Sequence, residues 1–264
     1  MASERNIILI TGTTSGIGYD TSYALANASP SNHVIMTARS TEKGTKALAE
    51  IQSRKPAGTL GFLQLDVTSD ASISDAAQKV EADFGVLDVL VNNAGIASSD
   101  YGPDNNNNNN TAAGRAYLRE IFDTNVFGVH LLTEALEPLL EKSKDPRIVN
   151  LTTNTGSVTW RNDWTQPASY KALEAYRMSK AALNMMSANQ LYKYSQWEHP
   201  AKVWAYCPGW VVTNLTGVDG RQFMRDTGAE DSETSAQGIL EIVNGKRDEE
   251  TKVMITKRGG TYPW

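Results

Sequence analysis

The sequence predicts an α/β fold: one doubly wound domain whose seven-stranded, mostly parallel sheet carries helices on both faces. Three observations predict it. Seven short apolar runs alternate with longer amphipathic stretches, from "NIILIT" near the start to "KVMIT" near the end. The runs show little period-two alternation, as expected of strands covered on both sides. The first run leads directly into a glycine-rich turn and a helix start, "TGTTSGIGYD", the succession that a parallel strand and its crossover require.

Taken in order, "NIILIT" is the first strand, and its helix is predicted over 17–28. "HVIMTA" is the second, followed by a helix over 41–53 that Ser40 or Thr41 can cap, because a hydroxyl there accepts a free amide of the first turn. "GFLQLDV" is the third, with Ser69 as the cap of a helix over 69–84. "LDVLVNN" precedes a helix over 112–140, "RIVNLT" one over 168–197, and "KVWAYC" one over 232–244, before the last strand, "KVMIT". No internal repeat interrupts the series. The run from Asn105 to Asn110 is too polar to pack, so it predicts a mobile loop, or stands in for unidentified residues. It follows the fourth strand and so leaves the carboxyl edge of the sheet, where open α/β sheets bind ligands.

Composition narrows the function classes. A chain of 264 residues, 40% of them hydrophobic, can bury a sizeable core and sits at the upper end of one α/β domain, so a single domain over 1–264 is expected. A net charge of −5 without clustered Lys and Arg argues against a nucleic-acid surface. The four consecutive apolar residues in "MASERNIILI" are too few for a signal-peptide core or a membrane span, which points to the cytoplasm. The single cysteine, Cys207, cannot form an internal disulfide, and the three histidines have no metal-ligand spacing. A reducing compartment and a metal-free site follow.

The chemistry concentrates in three places. Gly12, Gly16 and Gly18 are spaced G-x-x-x-G-x-G after a strand and before a helix. Glycines there let the backbone approach a pyrophosphate, and the helix N-terminus offers free N–H groups and partial positive charge, with Ser15 and Ile17 in the same turn. The second strand ends "MTARS", which offers Arg39 and no acid until Glu42. An acid there would bind ribose hydroxyls, whereas a guanidinium pairs with a 2′-phosphate, so the expected cofactor is NADPH/NADP+. In "YRMSK", Tyr176 and Lys180 stand at i and i+4 and share a helix face. With ten tyrosines in the chain roughly half such a match is expected by chance, so this pair alone decides nothing.

The ordered set decides more. The glycine turn, "NNAG" at 92–95, Asn125 in "DTNVFG", the Tyr176 and Lys180 pair, and "PGWVVT" at 208–213 resemble the short-chain dehydrogenase/reductase family, and within it the single-domain, NADPH-preferring carbonyl reductases. The resemblance covers nearly the whole chain and implies a Rossmann-type domain. It implies that Asp66 and Val67 contact adenine, that Asn93, Ala94 and Gly95 line the adenosine side, and that the Pro208–Gly209 turn with Val211 and Thr213 reaches the nicotinamide carboxamide. It implies that Asn125 kinks a helix and holds a water in a proton relay, and that Lys180 binds the nicotinamide ribose.

The family's active-site Ser falls in this chain on Thr153 of "NLTTNTG", a departure that keeps a hydroxyl while stiffening χ1; Thr152 and Ser157 are the alternatives. The stretch from Thr153 to Tyr176 is longer than in the family and carries "SVTWRNDWTQPASYK". Trp160 and Trp164 suit a wall of the substrate pocket, and a subunit face would look similar. The implied reaction is reduction of a bulky or aromatic carbonyl compound, or its reverse, with hydride from the nicotinamide and a proton from Tyr176. Two rivals remain at this point: an NADPH-binding isomerase or cyclase, and a non-catalytic dinucleotide-binding regulator. The family further implies a homodimer or homotetramer through the helices bearing Asn125 and Tyr176.

Overall fold

The structure, a computed structural model, describes residues 5–97, 111–165, 173–215, 217 and 220–264. The asparagine run 105–110 and Tyr170 therefore lie outside the described residues. Strands β1 (Asn6–Ile10), β2 (Asn32–Ala38), β3 (Thr59–Gln64), β4 (Val89–Asn92), β5 (Arg147–Leu151), β6 (Lys202–Cys207), β7 (Met254–Thr256) and β8 (Thr261–Tyr262) form one sheet in the order β3-β2-β1-β4-β5-β6-β7-β8. All neighbours pair in parallel except β7 and β8, which run antiparallel with Met254 opposite Tyr262.

The expected seven strands are present, and β8 is an addition. Two residues carry no periodicity, so that strand leaves no mark in the sequence. The uniform apolarity of β1 has a direct cause. Ile8 and Ile10 face one core, built with residues of α1 (Gly16–Ala28), α2 (Thr41–Ser53) and α9 (Glu233–Val243). Ile7 and Leu9 face the other, built with α3 (Asp70–Phe84) and α5 (Gly128–Leu140). Successive side chains point to opposite faces, and both faces are covered.

The caps behave as expected from hydroxyl chemistry. Ser40 accepts from the Lys43 amide at the start of α2, and Ser69 accepts from the Ser72 amide at the start of α3. The helix expected over 112–140 is divided. After α4 (Thr111–Phe122) comes a π turn, Asp123–Phe127, and then α5. Gly128 permits this course, because a Cβ there would lie 2.4 Å from the Val67 carbonyl oxygen.

Between β5 and α7 (Glu174–Tyr194) the chain adds a 3-10 turn, Asn154–Gly156, and a short helix, α6 (Val158–Asn162). The remaining helix is α8 (Gly220–Asp226). Among the described residues no helix is long and apolar enough to cross a membrane. β1 lies between β2 and β4, so chain connections leave it in opposite directions and a crevice opens at the carboxyl ends of the strands. Below that crevice, Asn92 donates to Asn150 Oδ1 at 2.8 Å, and Asn150 donates to Gln190 Oε1 at 2.7 Å and Ser187 Oγ at 2.9 Å. This buried chain of amides fixes β4, β5 and α7 against one another.

Candidate active site

A cleft of about 400 Å3 occupies the crevice. Its floor is backbone, and the glycines explain why. Gly12 and Gly16 have φ of 70° and 59°, a region that side chains disfavour. A Cβ at Gly18 would lie 2.4 Å from the Gly12 carbonyl oxygen and 2.5 Å from Asn93 Nδ2. Gly18 thus serves the turn from behind and does not itself line the cleft. Asn93 fixes the turn by donating from Nδ2 to the carbonyls of Thr11 at 2.7 Å and Gly12 at 3.0 Å. The Thr11 hydroxyl in turn accepts from the amides of Asn93 and Ala94, both at 2.9 Å. The turn, the start of α1 and the loop after β4 therefore form one hydrogen-bonded unit.

Most residues singled out in the sequence meet here. Ser15, Gly16, Ile17 and Arg39 line one end of the cleft, with Asp66 and Val67 beside them. Ala94, Gly95, Tyr176, Lys180, Pro208 and Thr213 also line it, with Thr213 against Gly16. Arg39 is exposed at the rim, and the Asp66 carboxylate accepts from Thr68 N at 3.0 Å and Thr68 Oγ1 at 2.7 Å. Val211 instead packs into the core, and its strand-like neighbour is Glu230. Gly209 turns the chain with φ of 76° against the Lys257 side chain. Sequence reasoning missed Asn214, whose amide donates to Ser15 Oγ at 3.1 Å and links the loop after β6 to the glycine turn. It also missed Thr124 and Ile96; none of the three sits in a spacing that marks it.

Tyr176 and Lys180 share the inner face of α7, as i and i+4 require, with Nζ 5.7 Å from the ring centroid. Both are buried, and Lys180 donates to the Leu151 carbonyl at 2.7 Å. Burial pushes the Tyr176 phenol up, with Cys207 adding to the effect, and pulls the Lys180 ammonium down to about 8. Desolvation is the largest cause at both groups, and the phenol is held in its protonated form.

Asn125, fully buried in the π turn, accepts from Ile96 N at 2.9 Å and donates to Ile96 O at 2.8 Å and Ser179 Oγ at 3.0 Å. It ties the loop after β4 to α7, one residue before Lys180. The three candidate hydroxyls differ in what they do. Thr152 is buried, and its hydroxyl bonds Asn184 and the Lys180 carbonyl. Ser157 caps α6 through the Trp160 amide at 3.1 Å. Thr153 is half-buried and makes long bonds within its own turn, 3.2 Å to Asn154 Oδ1 and 3.3 Å from Thr155 N, and its hydroxyl also bonds Cys207. Of the two tryptophans, Trp160 packs edge-on against Tyr262 with ring centroids 4.7 Å apart, and Trp164 is 86% exposed. Neither lines the cleft described above, nor does Thr153, whereas Thr152 does.

Known proteins share this arrangement end to end. The chain matches the short chain dehydrogenase family over residues 6–222. It is 31% identical to the short-chain dehydrogenase/reductase tropE of Talaromyces stipitatus, with 99% of each chain covered. It is 28% identical to (-)-isopiperitenone reductase of Mentha piperita, over 82% of this chain and 87% of that one. The NADPH-bound carbonyl reductase from chicken fatty liver superposes with a TM-score of 0.79 at 28% identity, covering 99% of both chains. A glycine turn on a β1–α1 crossover, a buried Tyr and Lys one helical turn apart, and these matches lead to one conclusion: the chain is an oxidoreductase that belongs to the short-chain dehydrogenase/reductase family.

Proposed function

We propose that the protein is an NADPH-dependent reductase that converts a ketone or aldehyde of a bulky or aromatic small molecule to an alcohol, in one domain built on the eight-stranded sheet. The observation that carries the reading is the burial of Tyr176 and Lys180 at the inner end of a cleft whose floor is the glycine turn. The fit to a dinucleotide rests on the glycines that line it: Gly12 and Gly16 turn with positive φ, and a Cβ at Gly95 would meet Asn125 Oδ1 at 3.2 Å, so the backbone at these points stays open to a close ligand. Gly12, Gly16 and Ser15 would hold the pyrophosphate, Asp66 and Val67 the adenine, and Lys180 and Thr213 the nicotinamide end. Arg39, exposed at the rim, favours a 2′-phosphate, and the carbonyl reductase of like fold is described as NADPH-bound.

Bound NADPH supplies the hydride. The chain's own residues handle the proton and the oxygen. Thr153 donates to the carbonyl oxygen, being a half-buried hydroxyl whose bonds run to its own turn and to Cys207 and not to α7. Tyr176 gives its phenolic proton to that oxygen as negative charge develops, and its raised proton affinity keeps it loaded at neutral pH. Lys180 holds positive charge beside the phenolate left behind and so limits the cost of forming it.

The test is a panel of ketones and aldehydes, polycyclic aromatic ones included, followed by loss of reduced-nicotinamide absorbance and identification of the alcohol. Stoichiometric alcohol formation with NADPH supports the reading. A product that forms equally without NADPH would replace it with isomerisation or cyclisation.

A further inference from the structure

We propose that the β7–β8 strand pair holds the Thr153 turn and α6, beside the cleft, in place, and that Tyr262 is the positioning residue through which it does so. The inference rests on the reading of Thr153 as the hydroxyl that orients the carbonyl.

Tyr262 stands between two structures that meet at the Thr153 turn. On its outer side the ring meets Trp160 edge-on, with centroids 4.7 Å apart and planes at 69°. Beside that contact, the amide and the hydroxyl of Thr159 both donate to the Trp264 carbonyl, at 3.1 and 2.9 Å. On its inner side Tyr262 packs with Cys207, Ala205 and Met254. Cys207 Sγ accepts from the amide of Asn154 at 3.3 Å, the residue next to Thr153. The strand thus reaches Thr153 from behind through Cys207, and from outside through α6, whose cap Ser157 directly follows the Asn154–Gly156 turn.

The opposite side of that turn is already rigid. A Cβ at Gly156 would lie 2.8 Å from the Lys180 backbone, so the turn rests on α7 with no room to move inward. Outward movement is what β8 prevents. The strand has two residues and pairs only with β7, so its hold on α6 runs through the Tyr262 ring and the Trp264 carbonyl. Tyr262 is half-buried and belongs to neither large core of the sheet. Its loss should loosen the turn and α6 while leaving the fold and the dinucleotide end intact.

The experiment compares wild type with Tyr262→Ala and Tyr262→Phe, using amide hydrogen exchange over 154–161, KM and kcat for one bulky aromatic ketone and one small aldehyde, and the NADPH dissociation constant. The Ala variant should exchange about three- to tenfold faster in that segment, as expected for loss of one aromatic pair. Its KM for the bulky ketone should rise by a similar factor, with the small aldehyde and NADPH binding nearly unchanged. The Phe variant keeps the ring and should restore both readouts. Unchanged exchange in Tyr262→Ala, or faster exchange with unchanged kinetics, would overturn the proposal, as would an equal loss of NADPH affinity. A wild type that reduces no carbonyl would sink the functional reading separately, and the exchange comparison would still decide whether Tyr262 holds the turn.

Discussion

Replacing Lys180 by methionine should make the cofactor-free protein more stable at neutral pH while abolishing turnover. The side chain is 4% exposed, and burial pulls its ammonium from 10.5 down to about 8. At about 1.4 kcal/mol per decade of proton affinity, holding that charge in the folded chain at pH 7 costs about 3 kcal/mol. The Leu151 carbonyl, which accepts from Nζ at 2.7 Å, offsets part of this cost. Losing that bond forfeits about 1–1.5 kcal/mol, which leaves a net gain of about 1–2 kcal/mol. Methionine keeps the unbranched stem and fills the same space. The pH dependence follows from the direction of the shift. Below about 8 the lysine is charged in both folded and unfolded chains, and the full cost is present. As pH rises from about 8 to 10.5 the folded chain loses the proton first, wild type gains stability, and the variant's advantage fades. Urea unfolding of both proteins at neutral and alkaline pH, followed by tryptophan fluorescence, measures the difference. A variant less stable at pH 7, or an advantage that does not shrink over that window, would refute the reasoning.

Substitutions at four other positions test the roles assigned at the site. Tyr176→Phe should lower kcat by about two to four orders of magnitude with NADPH affinity nearly intact, as measured by steady-state kinetics and cofactor titration. Arg39→Asp should reverse the preference for NADPH over NADH, because it removes a charge-assisted pair and adds repulsion; an unchanged ratio of kcat/KM for the two cofactors would dismiss Arg39 as the determinant. Thr153→Ser should keep most activity and Thr153→Val should lose it, whereas Thr152→Val should mainly lower thermal stability, since the Thr152 hydroxyl is committed to Asn184 and the Lys180 carbonyl.

The parts of the fold legible in the sequence are those whose signal is periodic and local. The strand runs, the serine caps and the glycine turn each lie within a few residues of what they specify, and all appear where expected. Residue patterning alone carries no sign of the π turn, which only the family resemblance anticipated as a kink at Asn125, because its cause is distant. Asn125 bonds Ile96, 29 positions away, and Ser179, 54 positions away, and neither partner is marked by spacing. The hold on the Thr153 turn was hidden for the same reason, since Cys207 and Asn154 are 53 positions apart. A lone cysteine reads in sequence only as the absence of a disulfide; in the fold it is an acceptor beside the expected site of reaction.

The two adjacent threonines differ in the fold in a way that the sequence does not show. In sequence "NLTTNTG" offers two equal hydroxyls, and a shift of one residue exchanges their roles. In the fold the Thr152 amide donates to the Tyr206 carbonyl at 2.8 Å, so Thr152 continues the β5–β6 ladder beyond Leu151. Side chains on a ladder alternate, and Thr152 is the one directed at α7, where its hydroxyl is taken up. Thr153 is extended as well, with φ of −163°, so its side chain must leave on the other face, away from α7 and toward the turn that it caps. Register thus separates the two hydroxyls by face: that of Thr152 is taken up at α7, and that of Thr153 lies in its own turn beside Cys207. The same argument explains why threonine is acceptable there: an extended backbone is the conformation that a β-branched residue prefers, so the additional methyl costs little and narrows the positions that the hydroxyl can take.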